Sequence, residues 1–102
     1  VVHIAPPPPL SSEDIIKKNP GIFKDSIKRG ISPKKMRRAI YDIQIGLSRE
    51  NAAKIGADYM DVPEGTKDGD GLLKREYCGS DPTHANPKYG RIVLDHMLEI
   101  GV

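Results

Sequence analysis

The 102-residue chain is long enough for one compact domain and too short for two independent cores. Hydrophobic residues make up 37% of it and charged residues 29%, and no apolar run approaches the roughly 20 residues that cross a bilayer, which excludes a membrane span. The formal net charge is +2 and there is one cysteine, so the composition requires neither an internal disulfide nor an oxidising compartment, and the cytoplasm is the default expectation.

The first ten residues predict a strand that is ended by a rigid turn. Val1 to Ala5 is apolar and β-branched without alternation, which is typical of a strand buried on both faces. His3 is expected to be a structural residue of this strand. Pro6 to Pro9 must end the strand, and we interpret the four prolines as a turn, the alternative being a polyproline II ligand for a recognition domain.

Two short helices are predicted next. Ser11 or Ser12 caps the first, which the breaker Asn19-Pro20-Gly21 ends. The second covers Ile22 to Lys28 and ends at Gly30.

A long helix is predicted from Pro33 to about Ile55. Ser32 is expected to cap it, with Pro33 at the first helical position, which is the strongest helix start in the sequence. Apolar residues recur along it at spacings of four, three and four, and this face is expected to pack on the core: Met36, Ile40, Ile43 and Leu47.

The second half predicts a strand and a closing helix. Ala57 to Val62 is the strand, Leu72 to Tyr77 a brief helix, and Pro87 to Ile100 an amphipathic helix that packs on a sheet. The order is that of a β-α-β unit, so the two strands are expected to be parallel. Because two strands make an unusually narrow parallel sheet, further strands are expected from another part of the polypeptide or another copy.

An aspartate and a histidine lie three positions apart in the loop before the closing helix. Asp81 and His84 follow the second strand, and in open α/β sheets ligands bind at loops that leave the carboxyl ends of strands. A carboxylate beside a histidine holds one ring N–H, so that the other ring nitrogen can take a proton from a nucleophile. The pair therefore predicts a general base and its orienting partner, although Asp81 alone could be a simple turn cap.

The segment "CGSDPTHANPKYG" resembles the last conserved block of the SGNH, or GDSL-type, esterase and lipase superfamily. "VVHIAPPPP" and "AAKIGADYMDV" resemble, in the same order, earlier parts of that fold. The resemblance implies an α/β fold, namely the C-terminal part of a flavodoxin-like three-layer α/β/α sandwich with a parallel sheet. Residues 1–102 would then be the C-terminal segment of one hydrolase domain, as the β-branched opening without a methionine also suggests.

The same resemblance implies hydrolysis of a small-molecule or carbohydrate ester through a serine, without a cofactor or metal. His84 would be the base and Asp81 its partner. The family's Gly-Asp-Ser nucleophile block and its oxyanion-hole residues have no counterpart here, so the missing N-terminal part of the protein is the expected partner. Asn86, after the loop, and Pro7, in the proline turn, are candidates for the substrate entrance.

Three other chemistries are conceivable for this half of the chain. A metal site could be drawn from four side chains, but their spacing matches no common zinc pattern: Cys78, Asp81, His84 and His96. "KDGDG" resembles a calcium loop but lacks its regular acids, so a turn is expected. Cys78 as a nucleophile has no activation signal beyond its proximity to His84.

A basic stretch offers a function of another class. Residues 17–38 carry nine lysines and arginines against one acid, and residues 22–43 could form a helix-turn-helix that presents basic side chains to the phosphates of a nucleic acid: Lys34, Lys35, Arg37 and Arg38. The flanking strands have no place in that motif, so nucleic-acid binding is not the first expectation. A noncatalytic interaction module built on the same scaffold is the remaining alternative.

Overall fold

The computed structural model describes residues 1–101. In chain order the chain forms β1 (Val2–Ile4), α1 (Glu13–Lys18), a 3₁₀ turn (Gly21–Phe23), α2 (Lys24–Lys28), α3 (Lys34–Lys54), β2 (Asp58–Met60), two further 3₁₀ turns (Glu64–Thr66 and Arg75–Tyr77) and α4 (Pro87–Glu99). Within the described part of the chain, no helix combines the length and apolarity that crossing a membrane requires.

The two strands pair in parallel, as predicted. His3 lies opposite Tyr59, and the ladder is flanked by hydrogen bonds from the Asp58 N–H to the Val1 carbonyl (3.0 Å) and from the Ala5 N–H to the Met60 carbonyl (2.9 Å). Residues between the strands form α1 to α3, which gives the expected β-α-β order.

The predicted flavodoxin-like three-layer sandwich is wrong. The chain is about 53% helical, and its sheet has only two strands of three residues each. A layered sandwich needs a sheet wide enough to bury apolar faces of helices on both sides. Here the largest fully buried side chains instead lie in loops, at Leu10, Leu72 and Leu73, so most of the burial is between loops and short helices.

The main core lies beneath the loop that carries Asp81 and His84. It comprises Leu10, Ile16, Leu73, Cys78 and Tyr89. Two hydrogen bonds tie the end of the proline turn to this core, from the Leu73 N–H to the Pro9 carbonyl (2.9 Å) and from the Ser11 N–H to the Leu73 carbonyl (3.2 Å). The proline turn is thereby anchored to a core residue far away in sequence.

Strand β1 is not buried on both faces, contrary to the prediction. Val1 is fully exposed and Ile4 is 41% exposed, whereas the next residue, Ala5, is buried against Tyr41. The continuous apolar run from Val1 to Ala5 predicts that other elements pack on both faces of the strand. Helix α3 covers the side of Ala5, and nothing among residues 1–101 fully covers Ile4.

Helix α3 has almost the predicted length but not the predicted cap. It begins at Lys34, with Pro33 as its N-cap residue and no capping hydrogen bond from a side chain. Ser32 instead uses its carbonyl, which accepts a hydrogen bond from Nε of Arg37 (3.1 Å). The fixed φ of proline therefore starts this helix without help from a serine side chain.

Helix α3 is also rotated relative to the prediction. The expected core face is between 53% and 65% exposed: Met36, Ile40, Ile43 and Leu47. The buried residues are Tyr41 and Ala52. The Tyr41 hydroxyl donates a hydrogen bond to the Pro6 carbonyl (2.6 Å), and burial raises the pKa of this hydroxyl. Further along the helix, Arg49 forms an ion pair with Asp61, which follows β2. These polar contacts fix the rotation, because so narrow a sheet cannot cover a second helix face.

Candidate active site

A closed loop carries Asp81 and His84. At its base Cys78 and Ala85 form an antiparallel bridge, and the Gly79 N–H donates to the His84 carbonyl (2.7 Å). Cys78 itself is buried in the main core. The loop is therefore a short excursion whose two ends are joined by backbone hydrogen bonds, and its tip presents the two side chains.

The carboxylate of Asp81 organises the tip. Its Oδ1 accepts hydrogen bonds from the backbone N–H groups of Thr83 and His84, each at 2.9 Å, and its Oδ2 lies 2.8 Å from Nδ1 of His84. These donors favour the charged form, so the Thr83 N–H, followed by the His84 imidazole, lowers the pKa of Asp81. Asp81 is thus both the cap of the turn and the partner of the histidine.

The imidazole of His84 is held at one nitrogen and free at the other. With Nδ1 against the carboxylate, the proton of the neutral ring lies on Nδ1 and the Nε2 lone pair is available. The side chain is 77% exposed, and Nε2 has no hydrogen bond to any residue from 1 to 101. A nitrogen presented in this way can accept a proton from a nucleophile.

A cavity of about 470 Å³ adjoins the histidine. Asn86, a predicted entrance residue, lines this cavity, but both polar atoms of its side chain make hydrogen bonds to the backbone. Its Oδ1 accepts from the Tyr89 N–H (3.0 Å) as the N-cap of α4, and its Nδ2 donates to the Glu76 carbonyl (2.7 Å). The Asn-Pro pair before the helix was the sequence signal for this capping role.

Pro7, the other predicted entrance residue, does not line the cavity beside His84 but lines a different one. This cavity of about 450 Å³ is bounded by the four prolines, the first turns of α3, and Pro82 and Thr83. The proline turn is thus a wall beside the Asp81–His84 loop. Pro8 is buried, and the Pro6 and Pro9 carbonyls accept hydrogen bonds from Tyr41 and Leu73, which favours a structural turn over a free polyproline ligand.

No nucleophile meets His84 among the described residues. Ser80 lines the cavity next to the histidine, yet no hydrogen bond joins the two side chains. Ser48 Oγ lies 3.3 Å from Nε2 of His3, but no carboxylate contacts that histidine. The Cys78 thiol is buried and donates to the Leu73 and Lys74 carbonyls, so it does not face His84.

The acidic turn is held by its own hydrogen bonds. Asp68 Oδ1 accepts from the backbone N–H groups of Asp70 (2.9 Å) and Leu72 (3.0 Å), which is the turn expected for "KDGDG". Across residues 1–101, no three side chains of the His, Cys, Asp and Glu types come together in a group that could hold a metal ion.

The basic residues at the start of α3 are largely occupied within the chain. Lys34 pairs with Asp70 (3.8 Å), Arg38 pairs with Asp42 (3.8 Å), and Nη1 of Arg37 donates to the Leu10 carbonyl (2.6 Å). Asp70, in the acidic turn, therefore partly neutralises the basic stretch that could otherwise contact phosphates. This arrangement does not favour nucleic-acid binding.

Gly79 is the structural residue of the site that sequence reasoning missed. A Cβ at this position would lie 2.6 Å from the His84 carbonyl oxygen, which is a backbone atom that cannot move without opening the loop. Its place directly after a buried cysteine and before the Asp-x-x-His block was the only sequence signal. Thr83 was missed as well, because the sequence does not show that its backbone N–H donates a hydrogen bond to Asp81.

Replacing Gly79 with Ala should destabilise the protein by about 1–3 kcal/mol through overpacking. Gly46→Ala is the matched control, because the added methyl meets nothing within 4 Å and the site is inside α3, where alanine should stabilise by about 0.5–1 kcal/mol. Thermal unfolding of both variants measures the difference. Equal midpoints for the two would contradict the close approach of Gly79 to His84.

Comparison with models of known protein families, with curated proteins and with solved structures finds no match to this chain. The resemblance to SGNH hydrolases therefore stays a prediction from the sequence motifs of the chain.

Proposed function

We propose that this chain supplies the general base, His84, and its orienting carboxylate, Asp81, to an ester hydrolase of the SGNH type. The attacking serine would come from polypeptide outside these 102 residues. Small-molecule or carbohydrate esters are the proposed substrates. Attack on an ester carbonyl needs a base that accepts the serine proton and returns it to the leaving alcohol.

The observation that carries the proposal is the direction of the imidazole. A histidine held only for stability would have both nitrogens engaged or the ring packed against apolar groups. His84 instead contacts Asp81 through Nδ1, while Nε2 has no hydrogen-bond partner among residues 1–101 and the side chain is mostly exposed and lines a cavity. The hydrogen bonds from Thr83 and His84 to Asp81 keep this carboxylate ionised, so that it can stabilise the imidazolium formed during the reaction.

The competing interpretation is that Asp81 only caps the turn. Its two backbone hydrogen bonds would suffice for that role, and an exposed histidine beside it would then have no function. The close contact between Oδ2 and Nδ1 is not needed for capping, because Oδ1 already accepts both backbone donors. This second oxygen is what favours the catalytic interpretation.

The test is active-site labelling of the protein as isolated with any polypeptide that accompanies it. We expect a fluorophosphonate probe to modify one serine, with turnover of p-nitrophenyl acetate lost in proportion. Intact mass under denaturing conditions then shows which polypeptide carries the modified serine. In the His84→Ala protein, labelling should slow by at least about a hundredfold, because serine activation depends on the base.

His96→Ala provides the control, since this histidine is on α4, where it pairs with Glu99. Its labelling rate should match that of the wild type. The proposal fails if the sole species has the mass of these 102 residues and neither reacts with the probe nor hydrolyses esters. Labelling that is equally fast in the His84→Ala protein would also overturn it.

A further inference from the structure

Strand β1 has an edge that is not paired with any strand of residues 1–101. Val1 and Ala5 direct backbone groups towards β2, as their hydrogen bonds to Asp58 and Met60 show. Because hydrogen-bonding direction alternates along a strand, Val2 and Ile4 direct their N–H and carbonyl groups to the opposite edge. No strand pairs with that edge among the described residues.

The edge strand is three residues long and is soon followed by four prolines, which limits pairing to Val2–Ile4, but it lacks the charged side chains that usually keep edges apart. Proteins protect exposed edge strands with charged side chains or cover. The first ten residues contain no lysine, arginine, aspartate or glutamate. The outer edge of β2, in contrast, belongs to a strand that begins at Asp58 and is followed by Asp61. A second copy could therefore approach β1 without like-charge repulsion, but not β2.

An apolar groove is lined in part by Ile4, one of the two residues whose backbone groups face this edge. It has a volume of about 700 Å³ and runs between Ile4 and the α4 residues Val93, Leu94 and Met97. Leu94 and, one turn on, Leu98 are more than half exposed. Their exposure adds apolar surface that a partner would bury next to the edge.

We propose that β1 pairs with β1 of a second copy of this chain in an antiparallel arrangement about a two-fold axis. In this register Val2 lies opposite Ile4 of the second copy, and Ile4 lies opposite Val2. Each of these two pairs exchanges both backbone hydrogen bonds, so all the free groups of both residues are satisfied. His3 faces His3 of the second copy at the axis, and the two sheets merge into one of four strands.

Self-complementarity is the reason why a second copy is the occupant. A two-fold interface needs one patch that fits itself. The edge meets this condition in its backbone groups, in its β-branched cross-strand pairs and in its lack of charge. The axis is perpendicular to the sheet, so both α4 helices lie on the same side, and their exposed leucines can extend the interface.

Cysteine cross-linking tests the register. In a non-hydrogen-bonded antiparallel pair the Cα atoms are about 4.5 Å apart, which lies within the range that a disulfide spans. His3→Cys should therefore form a covalent dimer readily under mild oxidation. Ile4→Cys is the matched control, because its counterpart across the interface is Val2, and it should cross-link at least about tenfold more slowly. The buried native Cys78 does not interfere.

Sedimentation velocity tests the dimer without cross-linking. The wild-type chain should sediment as a concentration-dependent dimer. Ile4→Pro removes a donor that points away from β2, so it should keep the fold and weaken the dimer by at least about tenfold. Ile4→Lys serves the same purpose should the proline disturb folding, and Leu47→Lys, on the exposed face of α3, should leave the dimer intact.

Three results would overturn the dimer. One is a monomer at every concentration up to about millimolar, where even weak complexes form. Another is equal cross-linking of the His3→Cys and Ile4→Cys chains. The third is a stoichiometric complex in which a different polypeptide, and no second copy, occupies the edge. The first two results do not bear on labelling of a serine. The third would identify an accompanying polypeptide without showing whether it carries a labelled serine, so the dimer can fail while the hydrolase proposal holds.

Discussion

Replacing His84 with Ala should lower the kcat/KM of ester hydrolysis by at least about a thousandfold, because without the base the serine hydroxyl keeps its proton. The side chain is mostly exposed and is not part of the main core, so the fold should survive the change. Activity on p-nitrophenyl acetate and the unfolding midpoint, measured on the same preparation, separate lost chemistry from lost structure. Wild-type turnover in this variant would exclude His84 as the base.

Asp81→Asn distinguishes an orienting carboxylate from a turn cap. The asparagine carbonyl can still accept the hydrogen bonds from Thr83 and His84, so the loop should remain folded. It can no longer stabilise an imidazolium, and a loss of up to about ten-thousandfold in kcat is expected. Activity within about twofold of the wild type would show that Asp81 is only a cap, even if His84 proved essential.

The second large effect concerns stability, and Leu73 is the residue to change. Leu73→Ala should lower the free energy of unfolding by about 2–5 kcal/mol, because the side chain is fully buried and joins the main core beneath the Asp81–His84 loop. In a domain of this size each kcal/mol shifts the midpoint of thermal unfolding by roughly 4–8 °C. Since the backbone of this residue bonds Pro9 and Ser11, the amides of residues 11 and 73, which tie the end of the proline turn to the core, should lose protection from hydrogen exchange as well.

Leu47→Ala is the matched control for this deletion. Leu47 belongs to the face of α3 that the periodicity predicts as core, yet it is 56% exposed. Its replacement should change the free energy of unfolding by no more than about 0.5 kcal/mol. If instead Leu47→Ala destabilised the protein as strongly as Leu73→Ala, the rotation of α3 described above would be wrong.

Interactions between residues close in sequence were sufficient to predict several structural elements. Ser12, one of the two serines predicted for that role, caps α1, and the long helix spans nearly the predicted residues. The Asp-x-x-His spacing also gave a correct contact, because a turn of this length brings the aspartate to the imidazole. These features depend on interactions within four residues, which the sequence shows directly.

The sequence also determined the existence of two strands, and their parallel pairing followed from the helices between them. Only the tertiary structure decided which face of α3 is buried, because rotation about a helix axis depends on distant partners such as the Pro6 carbonyl. It likewise decided that two basic side chains of α3 have partners within the chain: Lys34 pairs with Asp70, and Arg37 donates to the Leu10 carbonyl. Periodicity shows that a face is apolar; whether anything covers that face depends on how much sheet the rest of the chain provides.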